Sequence, residues 1–215
     1  MSSMIIRHDL RPYFGSARDQ GARPTCLAFA TSDAHSAALE RNWQPLSCEY
    51  LYYYAIKWER SSPDLGVSIP GVCSALTGDG QPNELAWPYL KALPSPISHW
   101  KPPNNVGQLF QCHTSALTAT FDAVWDCIQT DKPVVLAMSF SDAFYTPDNV
   151  GIVDSTEPID PVRRHAVVAV ATATKNSEKY IAIRNSWGES WGLHGYAWLS
   201  KRYLGSRIFS AFITH

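Results

Sequence analysis

Helical and strand-like patterns lie in different halves of this 215-residue chain, and this separation limits the fold more than any other feature. The first half is expected to contain three helices: Cys26 to about Arg41, about Cys48 to Arg60, and Val72 to Thr77. After one further helix near Ala116–Gln129, the second half contains four β-rich runs: Val134–Met138, Ala166–Ala171, Tyr180–Arg184 and Gly195–Leu199. Segregation of this kind predicts an α+β fold and not a regular βαβ fold.

Two stretches carry neither pattern. The first 24 residues are predicted to be irregular because four breakers interrupt them: Pro12, Gly15, Gly21 and Pro24. Residues 92 to 107 are rich in proline and are expected to form a surface loop or the crossing between two lobes. We therefore expect a single domain over residues 1–215, with a helical lobe of about residues 9–110 and a β-rich lobe of about residues 111–215.

Composition and charge exclude several classes of protein. Apolar residues make up 45% and charged residues 17%, which provides enough material for a core and excludes general disorder. A formal net charge of −1 gives no electrostatic reason to expect nucleic acid or an anionic membrane as a partner. No apolar run approaches the roughly 20 residues that span a bilayer, and the N-terminus lacks the apolar core of a signal peptide. A cytoplasmic protein is the expectation, with delivery as an effector left open.

The cysteines do not form the pattern of a disulfide scaffold or a metal site. There are five of them, and none belongs to a Cys-x-x-Cys pair. Cys112 precedes His113, but no second cluster lies nearby in sequence to complete a tetrahedral zinc site. We therefore expect neither a metal nor any other cofactor. Four cysteines are expected to be small buried hydrophobes: Cys48, Cys73, Cys112 and Cys127.

Cys26 is the candidate nucleophile. A reactive thiol needs a lowered pKa, a nearby base and donors for the oxyanion of the tetrahedral intermediate. Cys26 lies at the predicted start of the first helix, directly after Thr25, whose hydroxyl is a candidate N-cap. The helix dipole and unpaired N–H groups at such a position favour a thiolate. Taken alone, this position is more typical of a buried small residue than of a nucleophile.

The surrounding residues make Cys26 more informative. Gln20 lies six residues before Cys26, and Ala-Phe follows the thiol closely. His165 follows within the roughly 130–150 residues that separate the catalytic cysteine and histidine of papain-like enzymes. Asn185 then begins the string Asn-Ser-Trp-Gly. In this order, and with matches from about Asp9 to Leu199, the chain resembles the papain-like cysteine peptidases.

This resemblance implies a fold and a set of roles. It implies a papain-like two-lobe α+β fold, with the nucleophile helix in the helical lobe and the catalytic histidine and asparagine in the β-rich lobe. His165 would act as general base and then acid, and Asn185 would orient its imidazole. Gln20 and the Cys26 backbone N–H would form the oxyanion hole, while Trp187 would cover the bond between His165 and Asn185.

The chain departs from the family pattern before the nucleophile. Arg23 stands where the family commonly has a cysteine, so the family's loop disulfide cannot form, and Leu27 stands where it commonly has a tryptophan. Pro24 fixes one backbone dihedral and is expected to restore part of the lost rigidity. These features resemble the short, disulfide-free, intracellular branch found in bacteria and some archaea. No inhibitory pro-segment is expected, since only about eight residues precede the matched region.

The resemblance also suggests where a substrate would lie. Gly66, Val67 and Ser68 resemble the glycine-bearing stretch that pairs with extended substrate and borders the main specificity pocket. Ala137 and Arg164 are expected to face the same cleft. Arg164 and its neighbour Arg163 would favour an acidic group or would be solvated loop charges, and the sequence leaves both interpretations open. The expected partner is a peptide or protein substrate, and a regulatory partner protein remains unidentified.

Three functions are compatible with these residues. The leading hypothesis is a thiol protease, a hydrolase that cleaves peptide or isopeptide bonds through a thioester acyl-enzyme. An acyl transferase, transpeptidase or cyclase would use the same Cys-His-Asn triad and differ in water access. A catalytically silent binding module is the third, and the joint presence of the four candidate catalytic residues argues against it: Cys26, His165, Asn185 and Gln20.

Overall fold

The computed structural model describes residues 3–39 and 43–215. Its α-helices are α1 (Cys26–Leu39), α2 (Cys48–Glu59), α3 (Ile69–Gly78), α4 (Phe121–Ile128) and α5 (Lys201–Leu204). Its strands are β1 (Ile5–Asp9), β2 (Thr114–Leu117), β3 (Val134–Ser139), β4 (Ile152–Val153), β5 (Arg164–Lys175), β6 (Glu178–Arg184), β7 (Tyr196–Ser200) and β8 (Ile208–Thr214). Three helices precede a strand-rich second half, so the predicted α+β class is confirmed.

The strands form one eight-stranded sheet. Seven of them follow the order β2-β8-β3-β5-β6-β7-β4, and β1 lies off this path. The long strand β5 pairs with β3 along its first half and with β1 along its second half. Every pairing is antiparallel except that between β4 and β7. His165 lies opposite Met138 in the β3–β5 register, which fixes the place of the histidine near the start of the central strand.

Helix α1 forms the centre of the molecule. It packs against β3, β5 and β8 on the sheet and against α2 and α3 in the helical layer. Residues 27–36 are all buried, so the helix is enclosed on every side. Several of its buried polar side chains are hydrogen-bonded within the core: Ser32 Oγ donates to the Leu46 carbonyl (3.0 Å), and His35 Nδ1 bonds Gln81 Oε1 (2.9 Å).

The helix boundaries differ from the sequence predictions for local reasons. Helix α1 begins at Cys26 as predicted, whereas the predicted end near Arg41 lies outside the described residues. Helix α3 begins at Ile69, earlier than predicted, because the Ser68 hydroxyl accepts a hydrogen bond from the Gly71 N–H and Pro70 fits the first turn. Helix α2 ends at Glu59 because Arg60 adopts a left-handed conformation.

Three sequence predictions were wrong about strands and helices. The helix predicted over Ala116–Gln129 begins only at Phe121, where the Thr120 hydroxyl caps it, and the residues before it form β2. Strand β1 lies in the stretch predicted to be irregular, and β8 was missed. Both depend on partners far away in the chain, and the exposure of Ile5 and Ile6 on β1 removes the alternating pattern that signals a strand.

A buried carboxylate joins α1 to the sheet. The Asp33 side chain is 3% exposed and accepts hydrogen bonds from Arg18 Nε (2.8 Å) and Arg184 Nε (2.6 Å). Arg184 is the last residue of β6, is 1% exposed, and also donates to the Gly15 and Ser16 carbonyls. Burial alone would raise the pKa of the Asp33 carboxyl, but the two guanidinium groups lower it on balance. The ion pairs therefore hold Asp33 charged in the core.

Within the described part of the chain, no helix combines the length and the apolar character needed to cross a membrane.

Asp33→Ala is expected to lower the free energy of unfolding by about 3–5 kcal/mol, because it leaves two buried guanidinium groups without their carboxylate. Chemical denaturation at neutral pH measures this. The folded pKa of Asp33 lies below its ordinary value, so its contribution is present at neutral pH and is lost as the pH falls through the folded pKa. The difference between wild type and variant should therefore shrink in acid.

The control variant is Asp122→Ala, which removes an exposed carboxylate bound to Lys201. It should cost much less because exposed ion pairs contribute little. Equal losses in the two variants would contradict the role given to Asp33.

Candidate active site

A cleft of about 700 Å³ lies where the start of α1 meets the start of β5. It brings together both candidate reacting side chains and all five residues predicted to bind substrate: Cys26, His165, Gly66, Val67, Ser68, Ala137 and Arg164. Gln20, Asn185 and Trp187 are not among the residues that line this cleft, and Asn185 is connected to it through its hydrogen bond to His165. The sequence predictions therefore converge on one region.

Asn185 fixes the orientation of the imidazole. His165 Nε2 lies 2.6 Å from Asn185 Oδ1, and both residues are buried. The same oxygen accepts the Ser186 backbone N–H (2.8 Å), which determines which end of the amide faces the ring. Because Oδ1 can only accept, the neutral imidazole carries its proton on Nε2. Its Nδ1 is then the nitrogen able to accept a proton.

Aromatic rings enclose this hydrogen bond. The Trp187 ring centroid lies 4.8 Å from that of His165, and Tyr145 stacks on Trp187 at 5.5 Å. Phe140 and Phe144 approach the imidazole edge-on at 6.1 and 6.0 Å. Trp187 was predicted to cover this bond, whereas the two phenylalanines were missed because their contact with His165 depends on strand pairing. The rings shield the hydrogen bond between His165 and Asn185 from water.

Burial changes the pKa of both candidate reacting groups. Burial raises the pKa of the Cys26 thiol, although nearby backbone N–H groups favour the thiolate. One of these, the Ala166 N–H, belongs to the strand that carries His165. Burial lowers the pKa of His165 to about 4, against the hydrogen bond to Asn185. The expectation of a lowered thiol pKa therefore meets an opposing effect. A single charge on either group is disfavoured, and a thiolate is favourable only beside an imidazolium.

Thr25 does not cap α1 through its side chain. Its hydroxyl is hydrogen-bonded to the Tyr89 hydroxyl (2.9 Å), while its carbonyl accepts the Phe29 N–H (3.0 Å) and so begins the helix. The Tyr89 hydroxyl in turn donates to the Gln20 carbonyl (2.8 Å). The hydroxyl expected to serve the helix thus fastens the segment before Cys26.

Gln20 is held in place from both ends of its amide. Its Oε1 accepts the Ser186 hydroxyl (2.6 Å), and its Nε2 donates to the Arg23 carbonyl (2.9 Å). The Gln20 backbone N–H also donates to the Ser186 carbonyl (2.8 Å). Ser186 was not predicted as a positioning residue, although its place beside Asn185 in the motif was a usable signal. One N–H of the Gln20 amide remains after these contacts.

A buried ion pair occupies the place of the missing loop cysteine. Arg23 binds Glu49 of α2 through two contacts, of 2.6 and 3.0 Å, and Glu49 is fully buried. Glu49 also accepts from the Trp100 indole N–H (2.6 Å) and the Leu90 N–H (3.0 Å). This pairing was not predicted, because the two residues are far apart in the chain. It ties the segment before Cys26 to the second helix.

All five cysteines are free thiols. Cys48 and Cys112 are buried as expected, whereas Cys73 and Cys127 are only half-buried, so their predicted burial was wrong. Both lie on short helices with one side towards solvent. No group of three or more His, Cys, Asp or Glu side chains in residues 3–39 and 43–215 is placed to hold a metal ion.

Comparison with known proteins identifies relatives of this fold and sequence. The family described as Papain family cysteine protease matches residues 83–208. The oryzain gamma chain of Oryza sativa subsp. japonica is 28% identical over 189 residues, covering 83% of this chain and 50% of that protein. A cysteine protease of Blomia tropicalis is 26% identical over 213 residues, covering 92% of this chain and 61% of that protein. The chain thus spans between half and two thirds of the length of these relatives.

Solved structures agree on the fold. Xylellain, a cysteine protease from Xylella fastidiosa, superposes with a TM-score of 0.76 at 21% identity, covering 96% of this chain and 84% of that one. Digestive procathepsin L 3 of Tenebrio molitor superposes with a TM-score of 0.78 at 20% identity, covering 96% and 68%. The predicted two-lobe architecture is confirmed by these neighbours. Since the family match covers more than half of the residues, the chain belongs to the papain family of cysteine proteases.

Proposed function

We propose that this chain hydrolyses peptide bonds with Cys26 as nucleophile, His165 as general base and acid, and Asn185 as the residue that orients the imidazole. The observation that carries the proposal is the bond from His165 Nε2 to Asn185 Oδ1, which leaves Nδ1 to accept a proton on the cleft that Cys26 lines. The supporting geometry is that of an oriented base beside a nucleophile.

The first half of the reaction forms a thioester. The Cys26 thiol gives its proton to His165 Nδ1 as Sγ attacks the substrate carbonyl carbon. The resulting oxyanion accepts hydrogen bonds from the Cys26 backbone N–H and from the remaining N–H of Gln20, a type of contact that is worth about 10²–10³ in kcat per donor. The intermediate then collapses, the carbon–nitrogen bond breaks, and the imidazolium protonates the departing amine.

The second half returns the free enzyme. Water loses a proton to His165 and attacks the thioester carbonyl. The carbon–sulfur bond then breaks, the acid product is released, and the Cys26 sulfur regains a proton from the imidazolium. The same two steps act on an isopeptide bond, since the amine that leaves is then a lysine side chain. An added amine that replaced water at this stage would give transfer instead of hydrolysis.

Substrate backbone is proposed to lie along residues 66–68. Gly66 has a φ of +80°, and a Cβ there would come within 3.2 Å of the Pro24 carbonyl oxygen. Only glycine therefore fits this conformation so close to the segment before Cys26. An extended peptide can pair with this stretch by adding a short strand.

We also propose that the enzyme needs no disulfide and works in a reducing compartment such as the cytoplasm, as in the short disulfide-free branch of the family. The support is the Arg23–Glu49 pair, which anchors the loop before Cys26 without sulfur chemistry. The Arg23 carbonyl holds Gln20, so the same residue connects the ion pair to the oxyanion hole.

Purified protein under reducing conditions is expected to cleave a diverse peptide library, read by mass spectrometry. Cys26→Ala should abolish cleavage. Asn185→Ala should lower kcat about 100-fold or more, far more than it lowers folding stability, because Asn185 acts through the base that it orients. The control is Ser155→Ala, a half-buried loop position that does not line the cleft.

Full activity in Cys26→Ala would contradict the proposal, as would equal effects of Asn185→Ala and Ser155→Ala. Products joined to an added primary amine, in place of free acids, would assign the chain to acyl transfer.

Glu49→Gln is expected to lower the free energy of unfolding by about 3–5 kcal/mol in reducing buffer, because Arg23 is left buried and unpaired. In the folded fraction of this variant, kcat should fall by a larger factor than KM changes, since the Arg23 carbonyl holds Gln20. The paired variant Arg23→Met with Glu49→Leu should recover only part of the stability, since apolar side chains can replace a buried ion pair but leave the Trp100 and Leu90 N–H groups without their acceptor. A wild type that is stable only under oxidising conditions would contradict the disulfide-free proposal.

A further inference from the structure

Two adjacent arginines beside the cleft differ in their partners. Arg163 is neutralised, since it binds Asp142 and lies 3.2 Å from Asp160. Arg164 has no carboxylate partner among the described residues. Its Nε donates to the Pro161 carbonyl (3.1 Å), and its guanidinium lies over the Phe209 ring at 5.5 Å. The structure thus separates two side chains that the sequence could not distinguish.

Arg164 stands where a substrate side chain would pass. It is exposed, it lines the cleft, and it directly precedes His165 on β5. Its partner in the cleft wall, Phe209, is half-exposed and contacts the guanidinium through the face of its ring. Most of the remaining wall is apolar: Leu65, Val67, Ile69, Ala137 and Ala166. The wall therefore offers packing for a carbon stem and, at Arg164, a fixed positive charge.

Glu59 is the other charged residue of the cleft, and its carboxylate is already engaged. Its Oε1 accepts both the Ser68 N–H (2.7 Å) and the Ser68 hydroxyl (2.6 Å). These bonds hold the Gly66–Ser68 stretch at the start of α3. Arg164, by contrast, uses only its Nε in hydrogen bonds within the described part of the chain. The terminal N–H groups of its guanidinium are left for an acceptor from outside.

We propose that Arg164 is a specificity-determining residue that selects peptides with a carboxylate side chain, glutamate above all, in the residue seated in this cleft. The inference rests on the proposed function and names its substrate class. The glutamate stem packs on the apolar wall while its carboxylate accepts two parallel hydrogen bonds from the guanidinium, a geometry that arginine provides and lysine does not. Aspartate would reach the guanidinium less well because its stem is shorter.

The test compares peptides that differ only by Glu or Gln at one of the three positions before the cleaved bond. At the position whose side chain enters the cleft, the wild-type kcat/KM for the Glu peptide is expected to exceed that for the Gln peptide by about threefold to tenfold at low salt. The factor is modest because a partly exposed ion pair contributes little free energy. The ratio should fall as salt is raised. Arg164→Gln should bring it to about one, and Arg164→Glu should invert it and favour Lys.

The matched control is Arg163→Gln, which should keep the wild-type ratio because Arg163 is neutralised by its own carboxylates. A ratio near one in wild type, or an equal loss in both arginine variants, would overturn the proposal. Fluorescence anisotropy with the Cys26→Ala protein gives a second measurement that needs no turnover, since the Glu peptide should bind more tightly than the Gln peptide. If no peptide is cleaved but the Glu peptide binds more tightly, the peptidase function is rejected and the role of Arg164 is kept. Equal binding of the two peptides would reject the role of Arg164.

Discussion

The ion pairs of Asp33 with Arg18 and Arg184 are the interaction on which the active site most depends. Asp33 lies on the helix that begins with Cys26, and Arg184 is the last residue of β6, directly before Asn185. One fully buried contact therefore sets the nucleophile helix against the strand that leads into the orienting asparagine. Since an unpaired charge in this place would be very costly, the helix and the sheet have little freedom to separate or slide.

Burial of His165 and Cys26 determines which charged forms the site allows. Aromatic rings around His165 and the burial of Cys26 disfavour an isolated charge on either group, so imidazolium and thiolate are expected to form together. The supporting residues Ser186 and Arg23 hold the Gln20 amide in the same region. Among the described residues that line the cleft, Arg164 is the only arginine or lysine, so it is the group expected to distinguish between substrates by charge.

Much of this arrangement could be predicted from local signals, and the rest could not. The buried apolar runs around Val134 and Ala166 predicted strands, and motif spacing selected Cys26, His165 and Asn185, which the structure brings into one region. Strands β1 and β8 were missed because their partners are distant in the chain. The Arg23–Glu49 pair was missed for the same reason, since a buried charge is recognisable only once its partner is known. The catalytic roles stay proposals.

His165 is buried among aromatic rings, and Asn185 holds its proton on Nε2. NMR of the ring nitrogens across a pH titration of Cys26→Ala, with His165→Ala to assign the signals, tests this most directly. We expect a neutral imidazole protonated on Nε2 from neutral pH down to a pKa of about 4, because no thiolate is present to stabilise the charged form. Titration near the ordinary histidine pKa of about 6.5, or a proton on Nδ1, would contradict the account.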